Sequence, residues 1–444
     1  MVDLGATADM TATLEIYRDS TWMPAATLRP ADSRQGYRGA CQLDYLIEYA
    51  AEFAGPDTAA TAGLSCRYPA DFQQYRLEHW PAFILDILPN GYGRQQWLEQ
   101  LHLQDGPAAD WPLLTRGTAF PPGNLRVAEA VAAKDLDTLV PTAEGVEVAM
   151  RDHPGFAHAD VIARTEAFVE YAFQHGVYAA GASDVQGVAP KLLLTKDRYG
   201  AWHAEGRLDD ADVESYWLVK RPRGDRAADR QVLRNEAAYM RVASRLGLRV
   251  HADLAWEDDN LFVPRFDRAV HDGDVARYGM ESLCSAAGVA EYGARVAHDK
   301  LCDAILRYSS DPDIDLCEYV KRDVANVVLG NKDNHARNSA LLRFEDGRIE
   351  LAPLFDFAPM YLDPEGIARV CRWPGQVEQA GNPDWQQVIE LFPAQQNWLR
   401  EELHQFGRAL ERLPDTMREC GVDDDITEHR IATIERHEQQ LLRL

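Results

Sequence analysis

The stretch "LGNKDNHARNSALLRFEDGRIELAPLFDFAP", Leu329 to Pro359, places Asp333, His335 and Asn338 within six residues. Two apolar runs follow, "SALLRF" and "RIELAPL", separated by Glu345, Asp346 and Gly347 and ending at Asp356 between two phenylalanines. Apolar runs around an acidic-Gly turn predict a β-hairpin. Asp and Asn clusters often do no more than make turns. Two readings therefore stand side by side. One is a polar loop with an ordinary hairpin; the other is the metal and acid/base end of an active site.

Outward from this stretch, composition narrows the choice. The chain has 444 residues, 46% apolar and 26% charged, which suits a soluble globular protein of two to three domains. No apolar run approaches the ~20 residues of a membrane span. "MVDLGATADMTATLEIYRDS" lacks the basic and apolar regions of a secretory signal. Cys41, Cys66, Cys284, Cys302, Cys317, Cys371 and Cys420 are scattered and include no CxxC, so reduced thiols in a cytoplasm are expected. A net charge of −25 argues against direct binding to nucleic acid, while a basic protein partner stays compatible with it.

Local signals divide the chain into 1–125, 126–285 and 286–444. The first region mixes strands such as "ATLEIY" with a helical stretch "PAFILDILPNGYGRQQWLEQL", and "DGPAADWPLLTRGTAFPPGN" reads as a loop at its end. In the second, "ADVIARTEAFVEYAFQHG" predicts one helix closed by Gly176. "PKLLLTKDRYGAWHAEG" predicts a hairpin, "SYWLVKRP" a buried strand, "DRQVLRNEAAYMRVASRLGL" an amphipathic helix, and "LAWEDDNLFVPRFDR" a second hairpin. The third region is mainly helical apart from the opening stretch.

Chemistry enters through spacing. Asp333 and Asn338 stand five apart, the D-x-x-x-x-N spacing of a protein-kinase catalytic loop, in which the Asp accepts the substrate proton and the Asn holds a metal. Asp356, just past the return strand, stands where a kinase has its second metal-holding Asp. Oxygen donors of this kind suit Mg²⁺. Upstream, Lys220 ends an apolar strand and Glu236 lies on the next helix, the order of the lysine–glutamate pair that positions ATP phosphates. Each alone is more often a solvent-reaching lysine or an exposed helix residue; their order along the chain is what gives them weight. "GASDVQGVAPKLLL" adds glycine-containing backbone, including Gly187, Val188 and Ala189, before a strand that carries Lys191. Its spacing is neither G-x-G-x-x-G nor Walker A.

The series "VQGVAPK", "LVKRP", "RNEAAYM", "VPRFDR", "MESLC", "GNKDNHARNSALL", "LAPLFDF" resembles the HipA family of serine/threonine protein kinases, toxins of bacterial toxin–antitoxin pairs, along nearly the whole chain. The resemblance implies an α+β, two-lobed protein-kinase-like fold with a mixed α/β N-terminal lobe and a mainly helical C-terminal lobe. It implies ATP and Mg²⁺ as cofactors, and growth arrest through phosphorylation of a translation-related protein such as an aminoacyl-tRNA synthetase. A small DNA-binding HipB-like antitoxin is the implied partner. Carried over by position, Asp333 is the catalytic base, Lys220 the phosphate contact, and Asn338 and Asp356 the metal holders. Lys191, Gly187, Val188, Ala189 and Glu236 belong to the nucleotide site, His335 either lines that site or only braces the loop, and Glu281 to Leu283 offer backbone to adenine. Arg265 to Arg268 are expected to brace the fold.

Two departures stand out. Phe355 replaces a usual Tyr, and Asp184 falls where the family has an autophosphorylated serine, with Ser183 one residue earlier. Ser183 is the expected phosphate acceptor, because a permanent charge facing a triphosphate would weaken an otherwise intact site. A small-molecule phosphotransferase and a non-catalytic ATP-binding module remain alternatives to a protein kinase.

Overall fold

The computed structural model describes residues 10–55, 58–176, 189–363 and 365–444. The N-terminal region is built on a five-stranded antiparallel sheet in the order Gln74–Leu77, Cys41–Tyr45, Thr21–Pro30, Ala12–Arg18, Leu125–Val127. Its first strand alternates as a half-buried strand should: Ala12, Leu14 and Ile16 point inward. The tight turn into the second strand uses Asp19 and Ser20, both at positive φ, which matches the right-handed strand twist. Trp80, Ile84, Leu85, Leu113 and Leu114 close the core beneath it.

Two local readings need correction here. "PAFILDILPNGYGRQQWLEQL" forms two helices, Ile84–Ile87 and Gly91–Gln100, because Pro89 forces Leu88 out of helical geometry. The Pro- and Gly-rich stretch before residue 125 contains the helix Asp110–Gly117. Pro112 sits in its first turn, where a missing N–H costs nothing, and Trp111, Leu113 and Leu114 are buried.

The second five-stranded antiparallel sheet runs Ala255–Glu257, Asn260–Pro264, Val213–Lys220, Lys191–Asp197, Trp202–Ala204. Both expected hairpins are present in it. The single helix expected across 159–175 is instead two, His158–Ala163 and Glu166–His175, because Arg164 takes a left-handed conformation that ends the first. The helix Ala227–Arg245 packs Leu233, Ala237 and Met240 into the same large core as the C-terminal helices. No helix among the described residues is long and apolar enough to cross a membrane.

The C-terminal core gathers His298–Tyr308, Pro312–Leu329, Gln396–Leu410 and Asp424–Leu441. Pro312–Leu329 stops at Gly330, φ 75°, and the Asp333 loop begins there. Arg430 satisfies the open end of this helix by donating to the carbonyls of Val327 and Val328 at 2.8 and 2.9 Å. A Cβ at Gly330 would stand 2.7 Å from Tyr361 Cδ1 in a conformation side chains rarely adopt. Gly330→Ala is therefore expected to lower stability by roughly 1–3 kcal/mol. Urea denaturation measures it, and an unchanged midpoint would contradict this account.

The N-terminal region docks on a three-stranded sheet of Gly279–Ser282, Ala340–Arg343 and Ile349–Leu351. Arg343, 3% exposed, donates to the carbonyls of Ala59, Gly63 and Leu64. Glu281 accepts from Ser65 Oγ and the Cys66 amide, both at 2.7 Å. Arg265 and Arg268 pair with Glu205 and Asp267, and Asp267 also accepts from the Gly123 amide at 2.7 Å. This "RFDR" segment braces the junction, as its sequence suggested.

Candidate active site

Strand register brings the two key lysines together. In the antiparallel pair of Lys191–Asp197 with Val213–Lys220, Lys191 lies directly opposite Lys220. Like charges in that position repel unless an anion sits between them. Asp356 is that anion. Its Oδ2 lies 3.3 Å from Lys191 Nζ, and its Oδ1 pairs closely with Lys220. Lys220 Nζ also donates to Glu236 Oε1 at 2.6 Å, with Lys220 4% and Glu236 5% exposed.

Burial opposes the charge on Lys220, but Asp356 and Glu236 override it and hold the ammonium above the ordinary lysine range. Burial likewise opposes the Asp356 carboxylate, which Lys191 and Lys220 nevertheless hold well below the usual carboxylate range. Glu236 is pushed up by burial against the pull of Lys220. Asp356 takes a left-handed backbone, φ 51°, which is unusual for a residue with a side chain and places strain at this point.

The loop after Gly330 is knitted to itself. Asn338 Nδ2 donates to the Asp333 carbonyl at 2.8 Å, and the Asn338 amide donates to the His335 carbonyl at 2.9 Å. The Asp333 side chain stays 29% exposed, with His335 Nε2 3.8 Å from its Oδ1. His335 itself is buried, and its ring nitrogens have no hydrogen-bond partner among the described residues.

A support beneath the loop escaped sequence reasoning. Asn334 donates to the Cys371 carbonyl at 3.0 Å and accepts from the Val370 amide at 2.9 Å. Arg369 and the Trp373 indole both bind buried Asp323, which fastens segment 369–373 to the helix Pro312–Leu329. His298 packs in the same cluster, where burial pushes its pKa down to about 4 and keeps it neutral. The contributing residues lie far apart in sequence, so no spacing announces them.

Lys191, Lys220, Glu236, Asp333, His335, Asp356 and Ala189 all line one cleft of about 760 Å³. A second recess of about 140 Å³ shares Lys191, Lys220, Glu236 and Asp356 with it and is walled by Leu193, Leu218, Val263, Phe266, Met280 and Phe355. Glu281 and Leu283, expected to offer backbone to adenine, do not line this recess. Strand alternation turns Met280 and Ser282 toward it and Glu281 toward Ser65 and Cys66. The Leu283 amide is taken by the Ser339 carbonyl at 2.8 Å. The segment Pro264 to Asp267, which also braces the junction, lines the recess. Gly187, Val188 and Ser183 lie outside the described residues.

Among the described residues, no group of three or more His, Cys, Asp or Glu forms a metal cage. Magnesium does not need one, since it keeps waters and takes substrate phosphates as ligands. Asn338 Oδ1 is buried without a hydrogen-bond partner among the described residues, and it and the Asp356 carboxylate are oxygen donors of the kind that ion takes.

Comparison with known proteins bears on family and fold. A stretch of the chain is 34% identical over 143 residues to the protein described as "Putative kinase Y4mE" of Sinorhizobium fredii, covering 30% of this chain and 33% of that one. The match thus spans about a third of that relative's length. A chain of the Shewanella oneidensis MR-1 toxin–antitoxin complex of HipA, HipB and operator DNA superposes with a TM-score of 0.63 at 18% identity. That superposition covers 97% of this chain and 96% of the other, so the two share an α+β fold. The family model described as "HipA-like C-terminal domain" matches residues 183–431, more than half of the chain, and the protein therefore belongs to the HipA family.

Proposed function

We propose that this protein is an ATP- and magnesium-dependent serine/threonine protein kinase and the toxin of a bacterial toxin–antitoxin pair. The carrying observation is the convergence of Asp333, Asp356 and the buried Lys220–Glu236 pair on one cleft, in kinase order. In this reading Asp333 accepts the proton of the substrate hydroxyl, the hydroxyl oxygen bonds to the γ-phosphorus, and the bond between that phosphorus and the bridging oxygen of ADP breaks. Lys220, held by Glu236, and Lys191 bind the phosphates. Asn338 and Asp356 hold magnesium, which when bound neutralises charge on those phosphates. The apolar recess takes the adenine, and His335 lines the nucleotide site.

Regions 1–125, 126–285 and 286–444 serve in this proposal as an N-terminal subdomain, a nucleotide-binding lobe and a helical lobe carrying the catalytic loop. The resemblance implies a translation-related protein as substrate, and the Shewanella complex, which contains both HipB and operator DNA, supports a HipB-like antitoxin as partner. All seven cysteines are buried thiols, which suits a reducing cytoplasm.

Incubating the protein with labelled ATP, Mg²⁺ and a cell lysate tests the reading. Label on a protein band, alkali-labile as phosphoserine and phosphothreonine are, is expected. Label on a small molecule alone, or none, would overturn it. Asp356→Asn and Asn338→Ala should each shrink the protection that ATP gives against heat, and only when Mg²⁺ is present, since each weakens an oxygen donor to an ion intolerant of poor geometry. Metal-independent, unchanged protection in a thermal scan would remove both residues from this role.

A further inference from the structure

The loop after Gly330 also carries Arg337, and what holds this side chain comes from the other end of the sequence. Asp86, on the short helix Ile84–Ile87, pairs through Oδ1 with the Arg337 guanidinium and accepts from Ser282 Oγ at 2.7 Å. Its Oδ2 accepts from the Ser282 amide at 2.9 Å. The guanidinium also lies 5.1 Å from the centre of the Tyr292 ring, and the Tyr292 hydroxyl donates to the Leu85 carbonyl at 3.0 Å. Residues 85 and 86 thus hold Arg337 from two sides. Leu85, Asp86, Ser282 and Arg337 all line the recess that contains Lys220 and Asp356.

We propose that Asp86 is a positioning residue for phosphoryl transfer, acting through Arg337 on the loop that carries Asp333 and Asn338. The inference rests on the kinase reading above. Arg337 directly precedes Asn338, whose amide and side chain bind the His335 and Asp333 carbonyls, so a displaced guanidinium shifts both ends of that turn. The Arg337 side chain is 2% exposed and the Asp86 side chain 12%, so the pair is largely withdrawn from water. Burial pushes the Asp86 carboxyl up, and Arg337 with Ser282 counters that push. A plain docking role does not account for the pair. Docking of the N-terminal region is already supplied by Arg343 on three backbone carbonyls and by Glu281 on Ser65 and Cys66.

The test uses the full chain, with Asp86→Asn, Arg337→Lys and the double variant. Three quantities are read: the initial rate of labelled-phosphate transfer from saturating MgATP to the acceptor band of a lysate, MgATP affinity by calorimetry, and Tm. Asp86→Asn is expected to slow transfer by about tenfold or more with MgATP affinity within about threefold, a loss confined to the transition state. The double variant should be no slower than the slower single one, because the two residues act as a unit. Transfer within about threefold of wild type, or losses that multiply in the double variant, overturns the inference while leaving the kinase reading intact. Absence of transfer by the wild-type protein itself overturns both. If Asp86→Asn does not fold, Arg337→Lys alone decides: it keeps the charge opposite Asp86 but not the fork, so slowed transfer at retained affinity supports the proposal and an unchanged rate overturns it.

Discussion

Asp333→Ala is expected to lower phosphoryl transfer by ~10²–10⁴-fold while leaving MgATP affinity within severalfold. The structure explains why the two effects should separate. The Asp333 side chain projects into the cleft and is 29% exposed, so its removal opens no core cavity. Asn338 binds the Asp333 backbone carbonyl rather than its carboxylate, so the turn that presents a magnesium ligand survives in the alanine variant. The phosphate contacts proposed for Lys191 and Lys220, and the magnesium contact proposed for Asp356, come from other elements. Single-turnover transfer measured beside calorimetric binding makes the check. Wild-type turnover in Asp333→Ala would remove the residue from its role, and lost MgATP binding would show that it holds nucleotide instead.

Lys220→Met is expected to be costly in a different way. Transfer should fall with the loss of a phosphate-binding cation, and stability should fall as well. Glu236, 5% exposed, would lose the ammonium 2.6 Å away, while Asp356 would keep only Lys191 at 3.3 Å. Removing one partner of a buried pair typically costs about 3–5 kcal/mol. The sign of the pH dependence follows from Glu236. Burial already raises its pKa above the ordinary 4.5, and without Lys220 it rises further. A folded state that binds the proton more tightly than the unfolded state is favoured at low pH. The deficit of the variant should therefore be smallest near that ordinary value and grow as pH rises through it toward the folded-state pKa. Denaturation of both proteins between pH 4.5 and 8 tests this; a deficit constant across that window would mean that Glu236 does not carry the unpaired charge.

Both predictions start from residues legible in the sequence, and the reason is local. Asp333, Asn338 and Asp356 fall within 24 residues of one another, and a single loop and hairpin fix their relation. Lys220 and Glu236 are set by a buried strand followed by an amphipathic helix, and hydrophobic periodicity reports such elements directly. Local signals were weaker where one residue overrode a pattern. Arg164 in a left-handed conformation split an expected helix, and Pro112, admissible in a first turn, let a helix form where a loop was expected.

By itself, then, the sequence determined the order of the elements, the D-x-x-x-x-N loop, the hairpin ending at Asp356, and the lysine and glutamate upstream. Tertiary structure alone decided which residues wall the recess, that Asn334, Arg369 and Asp323 support the loop from below, and that Asp86 meets Arg337 across 251 positions of chain. The difference has a physical cause. Helix and strand periods and loop spacings are written in neighbouring residues. A buried ion pair between distant segments depends on how whole layers pack, and its sequence trace is one aspartate in an apolar run, "FILDIL", which nothing local distinguishes from a surface charge.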